Sequence, residues 1–241
     1  MARSTLGRAK VLMATADSAS MSRDDLAYAR DLARRLDLDH VVVATGEVRD
    51  PAYRANTPAR CYVCKHTLFD ELQVIAQQRG LPVILYGAIG DDASSQRPGQ
   101  RAAADCGVRA PLQEAGLSKS QIRDLARRMQ LPNWDRPQNA CLASRIPHGL
   151  DVTEDKLRQI EDAEGLLRAK GFRQVRVRHL GPHARIEVGR EEVARFDDRA
   201  FCRAVGQALT AVGVQSVGVA REGYREGGAD LVVMDEIPLL E

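Results

Sequence analysis

Three short apolar runs, KVLMATA (Lys10–Ala16), HVVVA (His40–Ala44) and LPVILY (Leu81–Tyr86), are separated by stretches of helical periodicity. That alternation narrows the available folds more than any other feature of the chain. Between the first two runs, Leu26, Ala29, Ala33 and Leu36 share one face of a helix over Ser22–Asp37, with Ser22 placed to cap it. A loop from Gly46 to Arg60, containing Pro51 and Pro58, then leads to a helix carrying Leu68, Leu72, Ile75 and Ala76. Ser118 and Gln121 have capping-box spacing and open a helix with Ile122, Leu125, Ala126 and Met129 inside. Hairpin signals are scarce, so the strands predict an α/β fold: a parallel sheet with helices on both faces.

The pattern changes after Gly149. Thr153 caps a helix with Glu154 and Asp155 in its first turn and Leu157, Ile160, Ala163 and Leu167 inside. Gln174–Leu180 (QVRVRHL) and His183–Val188 (HARIEV) alternate strictly around Gly181-Pro182, which predicts a hairpin. A helix with Phe201, Ala204, Val205, Ala208 and Leu209 and an apolar run at Ser216–Ala220 complete an α-β-β-α-β unit. The reading is two domains: residues 1–150, α/β, and residues 151–241, a small α+β domain.

Composition sets the compartment and excludes some partners. Hydrophobic and charged contents of 44% and 28% are those of an ordinary globular protein. A net charge of +2 gives no electrostatic case for nucleic acid. The longest apolar runs, Leu81–Tyr86 and Leu231–Met234, are too short to span a bilayer. The first twenty residues lack the continuous apolar core of a signal peptide. Five unevenly spaced cysteines argue against a disulfide framework and for a reducing, cytoplasmic setting in which thiols act as ligands or nucleophiles.

Several groups could carry chemistry. The loop GAIGDD places Asp91 and Asp92 beyond the carboxyl end of a strand, where ligands of open parallel sheets bind; adjacent carboxylates there suit Mg²⁺ or a metal-bound pyrophosphate. The alternative is a polar loop whose aspartates cap the next helix. Arg97 precedes Pro98, which suits a first helical turn. Lys119, in the first turn of its helix, opposes the helix dipole unless an anion binds there; otherwise it is a solvated lysine. Arg176 and Arg178 share one strand face, and with Arg185 and Glu187 across the hairpin they suit a phosphate or form cross-strand pairs on a solvated face. Cys61 and Cys64 form a C-x-x-C, and Cys141 stands in NACLASRIPHG. With His66 or His148 this set suits zinc; as three thiolates it suits an iron–sulfur cluster with one open iron, and spacing alone does not choose. Cys106 and Cys202 lie in apolar helical contexts expected in the core.

The segments NTPARCYVCKHTLFDEL, GDDASSQRPGQRAA, APLQEAGLSKSQIRDLARRMQLPNWDRPQNACLASRIPHG and RQVRVRHLGPHARIEV together resemble the LarE family, over about residues 9 to 225. The resemblance implies an adenine nucleotide alpha hydrolase-like fold of the N-type ATP pyrophosphatase kind. It implies an ATP- and Mg²⁺-dependent sulfur transferase of nickel-pincer nucleotide biosynthesis that adenylates the carboxylates of a pyridinium dicarboxylate mononucleotide and replaces AMP with sulfur. One kind of member sacrifices a cysteine sulfur. The other holds a [4Fe-4S] cluster on three cysteines, and Cys61, Cys64 and Cys141 fit the second kind. Ser144, Arg145, Arg176 and Arg178 match the region that binds the substrate phosphate. A homo-oligomer and other proteins of the same pathway are the partners this implies.

The departures from the family pattern are specific. The S-G-G-x-D-S phosphate loop expected before the first strand does not precede Lys10, and Gly227-Gly228-Ala229-Asp230 lacks the strand–loop–helix context to replace it. Nor is there a Walker-type loop. Ser95 and Gln96 stand where an aspartate and a tyrosine are usual before Arg-Pro-Gly. Without its first strand and helix, such a sheet exposes an edge and part of its core. These departures imply either a chain whose beginning lies upstream or a relative that no longer makes adenylates. The competing functions are therefore a non-catalytic nucleotide- or metal-binding protein and a tRNA-thiolating enzyme. The near-neutral charge speaks against the second.

Overall fold

The computed structural model describes residues 1–92, 97–136, 139–224 and 235–239. Ser95, Gln96, the Gly227–Asp230 stretch and the Leu231–Met234 run lie outside the described residues. The chain forms two compact units, Met1–Tyr53 with Pro58–Asn139, and Arg54–Thr57 with Ala140–Glu241. Packing therefore divides the chain at Asn139 and Ala140 rather than at residue 150, and gives four earlier residues to the second unit. Asn56 is the reason: its buried amide donates to the carbonyls of Ile146 (3.2 Å), Pro147 (2.8 Å) and Leu150 (2.7 Å). Val152 N–H bonds to the Arg54 carbonyl at 2.9 Å.

The first unit contains α1 (Ala2–Leu6), β1 (Leu12–Asp17), α2 (Arg23–Arg35), β2 (Asp39–Ala44), α3 (Pro51–Arg54, its end shared with the second unit), α4 (Arg60–Gln78), α5 (Pro98–Asp105), α6 (Pro111–Glu114) and α7 (Lys119–Arg128). Strands β1 and β2 pair in parallel from Leu12↔Asp39 to Asp17↔Ala44. Ser22 caps α2 by accepting the Asp25 N–H, and Leu26 and Ala33 face inward. Both bonds of the capping box form at α7. Pro98 opens α5, with Arg97 as its cap residue. The third expected strand is reduced to one parallel bridge, Leu85↔Arg109. Pro82 removes a ladder donor, and Val83 and Leu85 remain largely exposed instead of buried on both faces. An apolar cavity of about 570 Å³ lies beside this segment, lined by Leu12, Met13, Leu72, Ile75, Ile84 and Leu131 among others.

The second unit follows the expected order: α8 (Glu154–Ala169), β3 (Val175–Leu180), β4 (His183–Val188), α9 (Arg199–Ala211) and β5 (Ser216–Ala220), with β6 (Glu236–Pro238) added. The sheet order is β3-β4-β5-β6; β4 and β5 are parallel and the other pairs antiparallel. Val175, Val177, Ala184, Ile186, Val188, Val217 and Val219 meet Ala163 and Leu167 of α8 and Val205 and Leu209 of α9 in one core. The period of two forces Arg176, Arg178, Arg185 and Glu187 onto the other face of the sheet. No helix among the described residues is long and apolar enough to cross a membrane.

Candidate functional site

In the first unit, the loop after the Leu85 bridge folds back onto the start of α7. Gly90 N–H bonds to the Leu117 carbonyl at 2.8 Å, and a Cβ at Gly90 would meet Gly116 C and Leu117 O at 3.0 Å, so any larger residue would push that backbone back by a few tenths of an ångström. Asp91 Oδ2 accepts the Lys119 N–H at 2.8 Å. The aspartate thus caps α7 rather than the next helix, α5, and places negative charge at the dipole end that Lys119 opposes. Asp92 pairs with Arg97 at 2.9 Å and accepts the Ile89 N–H. Asp91, Asp92, Arg97 and Lys119, scattered over the sequence, converge here. Asp91 is exposed and the Asp92 side chain 22% exposed, so these hard oxygen donors suit Mg²⁺.

Cys61 and Cys64 occupy the first two turns of α4, one exposed and one half-buried. Three residues apart, they lie roughly 60° from each other around the helix. His66 is roughly 140–160° from both. Its Nδ1 meets Asp70 Oδ2 at 2.9 Å, so it does not extend the cysteine pair. Cys106 sits partly buried beside the Phe69–Ala103–Val108 cluster. Burial, then Asp70 and Asp105, hold its thiol above the ordinary range. Cys202 is buried as expected; its Sγ donates to the Phe196 carbonyl, and burial raises its pKa.

In the second unit, Cys141 is exposed and precedes a 3-10 turn, Leu142–Arg145. Arg145, 0% exposed, clamps this turn from below. Its Nη1 donates to the carbonyls of Ala140 (2.5 Å) and Cys141 (2.9 Å) and to Ser144 Oγ (3.1 Å). Its other nitrogens bond to Glu164 at 2.9 and 3.2 Å. Glu164, also fully buried, accepts further from Arg168 (2.6 Å) and the Val177 N–H (3.2 Å), which fills the roughly four acceptor positions of a carboxylate. Arg178 donates to the Ser144 carbonyl at 3.0 Å and pairs with Glu187 at 2.9 Å. Arg185 meets Glu187 at 3.4 Å and Glu236 at 3.9 Å.

The arginine face is therefore neither solvated nor open to a ligand at every position. Arg145, Arg178 and Arg185 are all buried and engaged by carboxylates, so Arg145 and Arg178 act on the turn rather than at its surface. Arg176 differs. It is half-buried, with its guanidinium 5.5 Å from the Tyr224 ring centre. Its pKa is lowered, first by burial and then by Arg145. Ser144, half-buried, donates its hydroxyl to the Cys141 carbonyl at 2.7 Å. His148 Nδ1 donates to the Asn56 carbonyl at 2.8 Å. Sequence reasoning missed Glu164 and Asn56. The only signal for Asn56 is that asparagine tolerates the positive φ of 51° it adopts.

No protein-family model matches the chain. A Synechocystis protein of uncharacterized function is 37% identical over 219 residues, 91% of this chain and 82% of that one. The pyridinium-3,5-bisthiocarboxylic acid mononucleotide synthase of Lactiplantibacillus plantarum is 32% identical over 227 residues, 94% of this chain and 82% of the synthase. An uncharacterized Methanocaldococcus jannaschii protein is 29% identical over 133 residues, about half of each chain. With the second match spanning both the α4 cysteines and the Cys141 turn, the chain belongs to the LarE family of sulfur transferases.

Proposed function

We propose that this chain is an ATP-dependent sulfur transferase that converts carboxylates of a pyridinium dicarboxylate mononucleotide to thiocarboxylates. The observation that carries the proposal is an exposed thiol, Cys141, on a turn fixed from beneath by two buried, charge-compensated arginines. Likeness to a synthase of that product supports the substrate class. In the reaction, a substrate carboxylate oxygen attacks the α-phosphorus of ATP and pyrophosphate leaves. Sulfur then attacks the acyl carbon and AMP leaves, an easier departure than that of oxide. Asp91 and Asp92 would hold Mg²⁺, which neutralises the pyrophosphate as it departs, with Arg97 and Lys119 beside it. Arg176 and the Ser144 hydroxyl would take the substrate phosphate, while Arg145 and Arg178 are positioning residues that hold the turn.

The donor chemistry of Cys61, Cys64 and Cys141 fits an iron–sulfur cluster: three thiols, none in a disulfide, two exposed and one half-buried. These residues would hold a [4Fe-4S] cluster, which would supply sulfide for the transfer. The exposure of Cys141 also favours a second reading, in which its own sulfur is transferred and residue 141 becomes dehydroalanine. Zinc is the weaker occupant, since the helix geometry turns His66 away from the cysteine pair and a fourth protein ligand is then lacking from that helix.

The test is pyrophosphate and AMP release by the anaerobically reconstituted chain given Mg-ATP and the mononucleotide. Substrate-dependent release is expected. Tight mononucleotide binding without release would leave a binding protein instead. Cys141→Ala should abolish iron and sulfide incorporation, and unchanged iron would remove the cluster from this site. Arg176→Ala should weaken the mononucleotide by about 1.5–3 kcal/mol, roughly tenfold to a hundredfold. The dephosphorylated nucleoside should be little affected; equal losses would detach Arg176 from the phosphate.

A further inference from the structure

The face of α4 that carries His66 and Asp70 has a use separate from the cysteine face. These residues are four apart, which stacks them on one side of the helix, roughly 40° from each other. Gln73, on the same side, donates its Nε2 to the Cys106 carbonyl at 3.2 Å and brings the end of α5 against α4. Tyr62, one turn before His66, donates its hydroxyl to Asp105 at 2.9 Å, with the Arg101 guanidinium 4.6 Å from its ring centre. These contacts deliver the Cys106 thiol to the histidine and the aspartate. One donor atom from each of His66, Asp70 and Cys106 lies within 4.8 Å of the other two. Among the described residues no other three such donors converge in this way.

We propose that His66, Asp70 and Cys106 form a binding site for a divalent transition metal, with zinc as the fitting ion. One imidazole nitrogen, one carboxylate oxygen and one thiolate sulfur are the donors zinc takes, at about 2.0–2.3 Å each. Donors around such an ion stand within about 4 Å of one another, so a small rotamer adjustment closes the set. Exposed side chains make such adjustments readily, and His66 and Asp70 are 43% and 57% exposed. Mg²⁺ and Ca²⁺ are poor fits because thiolate and imidazole are too soft for them. The ion takes the place of the proton shared by His66 Nδ1 and Asp70 Oδ2. Three protein ligands leave a fourth position for water, and the exposed pair provides the entry path. Occupancy ties α4 to α5, and with them the N-terminal end of α4 that carries Cys61 and Cys64.

The test uses the full chain with Cys61, Cys64 and Cys141 all changed to serine, which removes the competing thiols at exposed or half-buried positions. Cobalt(II), a spectroscopic stand-in for zinc, is titrated in under a phosphine reductant. A thiolate-to-cobalt charge-transfer band saturating at one equivalent and displaced by zinc is expected. Cys106→Ala in this background should remove the band, and His66→Gln should weaken binding at least about tenfold. No band, or one that survives Cys106→Ala, overturns the proposal. Because Cys106 is partly buried, a second measurement uses the wild-type chain and two exposed changes. Zinc should raise the thermal midpoint of the wild type more than that of His66→Gln or Asp70→Asn. Equal shifts in all three overturn the site.

Discussion

In the second unit Ile186, Val188 and Val219 are wholly covered, and even the charged face of the sheet is closed by Glu164, Glu187 and Glu236. In the first unit Val83 and Leu85 stand 44% and 43% exposed, beside an apolar cavity of about 570 Å³. Both units contain parallel pairing, yet only one has a sheet whose apolar runs are used up. Parallel strands are stable when covered on both faces. Of HVVVA, only Val43 is buried. The difference bears on function: the Cys141 turn rests on a finished scaffold, whereas Asp91 and Asp92 are placed by loop-to-helix contacts beside a sheet of two strands and a bridge.

The largest expected effect is at Glu164. Glu164→Ala leaves Arg145 charged in a site with no access to water, and loss of one partner of such a pair costs about 3–5 kcal/mol. The corresponding ion pair of the first unit, Asp25–Arg136 at 2.5 Å, has side chains 22% and 37% exposed, and Asp25→Ala should cost about 1 kcal/mol or less. Urea melts of the two variants decide this, and equal losses would break the comparison. Next comes Ile186→Ala, at about 2–5 kcal/mol, against Leu85→Ala within about 0.5 kcal/mol. A large loss at Leu85 would show that the first unit covers that residue in solution.

A third expectation concerns the cavity itself. An apolar fluorescent dye should bind the first unit, and Met13→Glu should weaken it about tenfold, because a carboxylate lining such a cavity costs roughly 1–3 kcal/mol. Dye emission lost instead with Val177→Ala, in the second unit, would reverse the assignment.

Much of this architecture was legible in the sequence, and the losses have physical causes. The hairpin was legible because a period of two and a two-residue turn fix register together, and Val175↔Val188 to Leu180↔His183 pair accordingly. The capping box at Ser118 was legible because it is local. The third strand failed because Pro82 outweighs a short apolar run that, among the described residues, pairs through one bridge only. The closure of the arginine face was not legible, since it depends on Ser144, more than thirty residues before Arg178, and on Glu236, more than fifty after Arg185. Spacing suits Asp91 to a metal or to the cap of the next helix, but the helix it meets starts 28 residues on, beyond the reach of spacing arguments. For the Cys141 turn, the chain showed the thiol and the arginines but not that Arg145 would be spent beneath it.

The smallest effect is a pH dependence that separates the units by the depth of their histidines. Burial, then Lys156, holds the His179 pKa below 6.5. Its Nε2 donates to Gln159 Oε1 at 3.0 Å, and its Nδ1 is buried with no hydrogen-bond partner among the described residues. The neutral ring is therefore the folded form. As pH falls through 6.5 the unfolded chain gains a proton that the folded unit refuses, so stability is full above 6.5 and declines below it toward the folded pKa. His179→Gln should remove part of that decline. His40, in the first unit, is also lowered by burial and then by Arg30, but it is only partly buried on β2, and His40→Gln should change the slope less. Urea midpoints of the three chains between about pH 5 and pH 8 test the ordering. A larger change at His40 would mean that the first unit excludes water more completely than its exposed leucines and valines indicate.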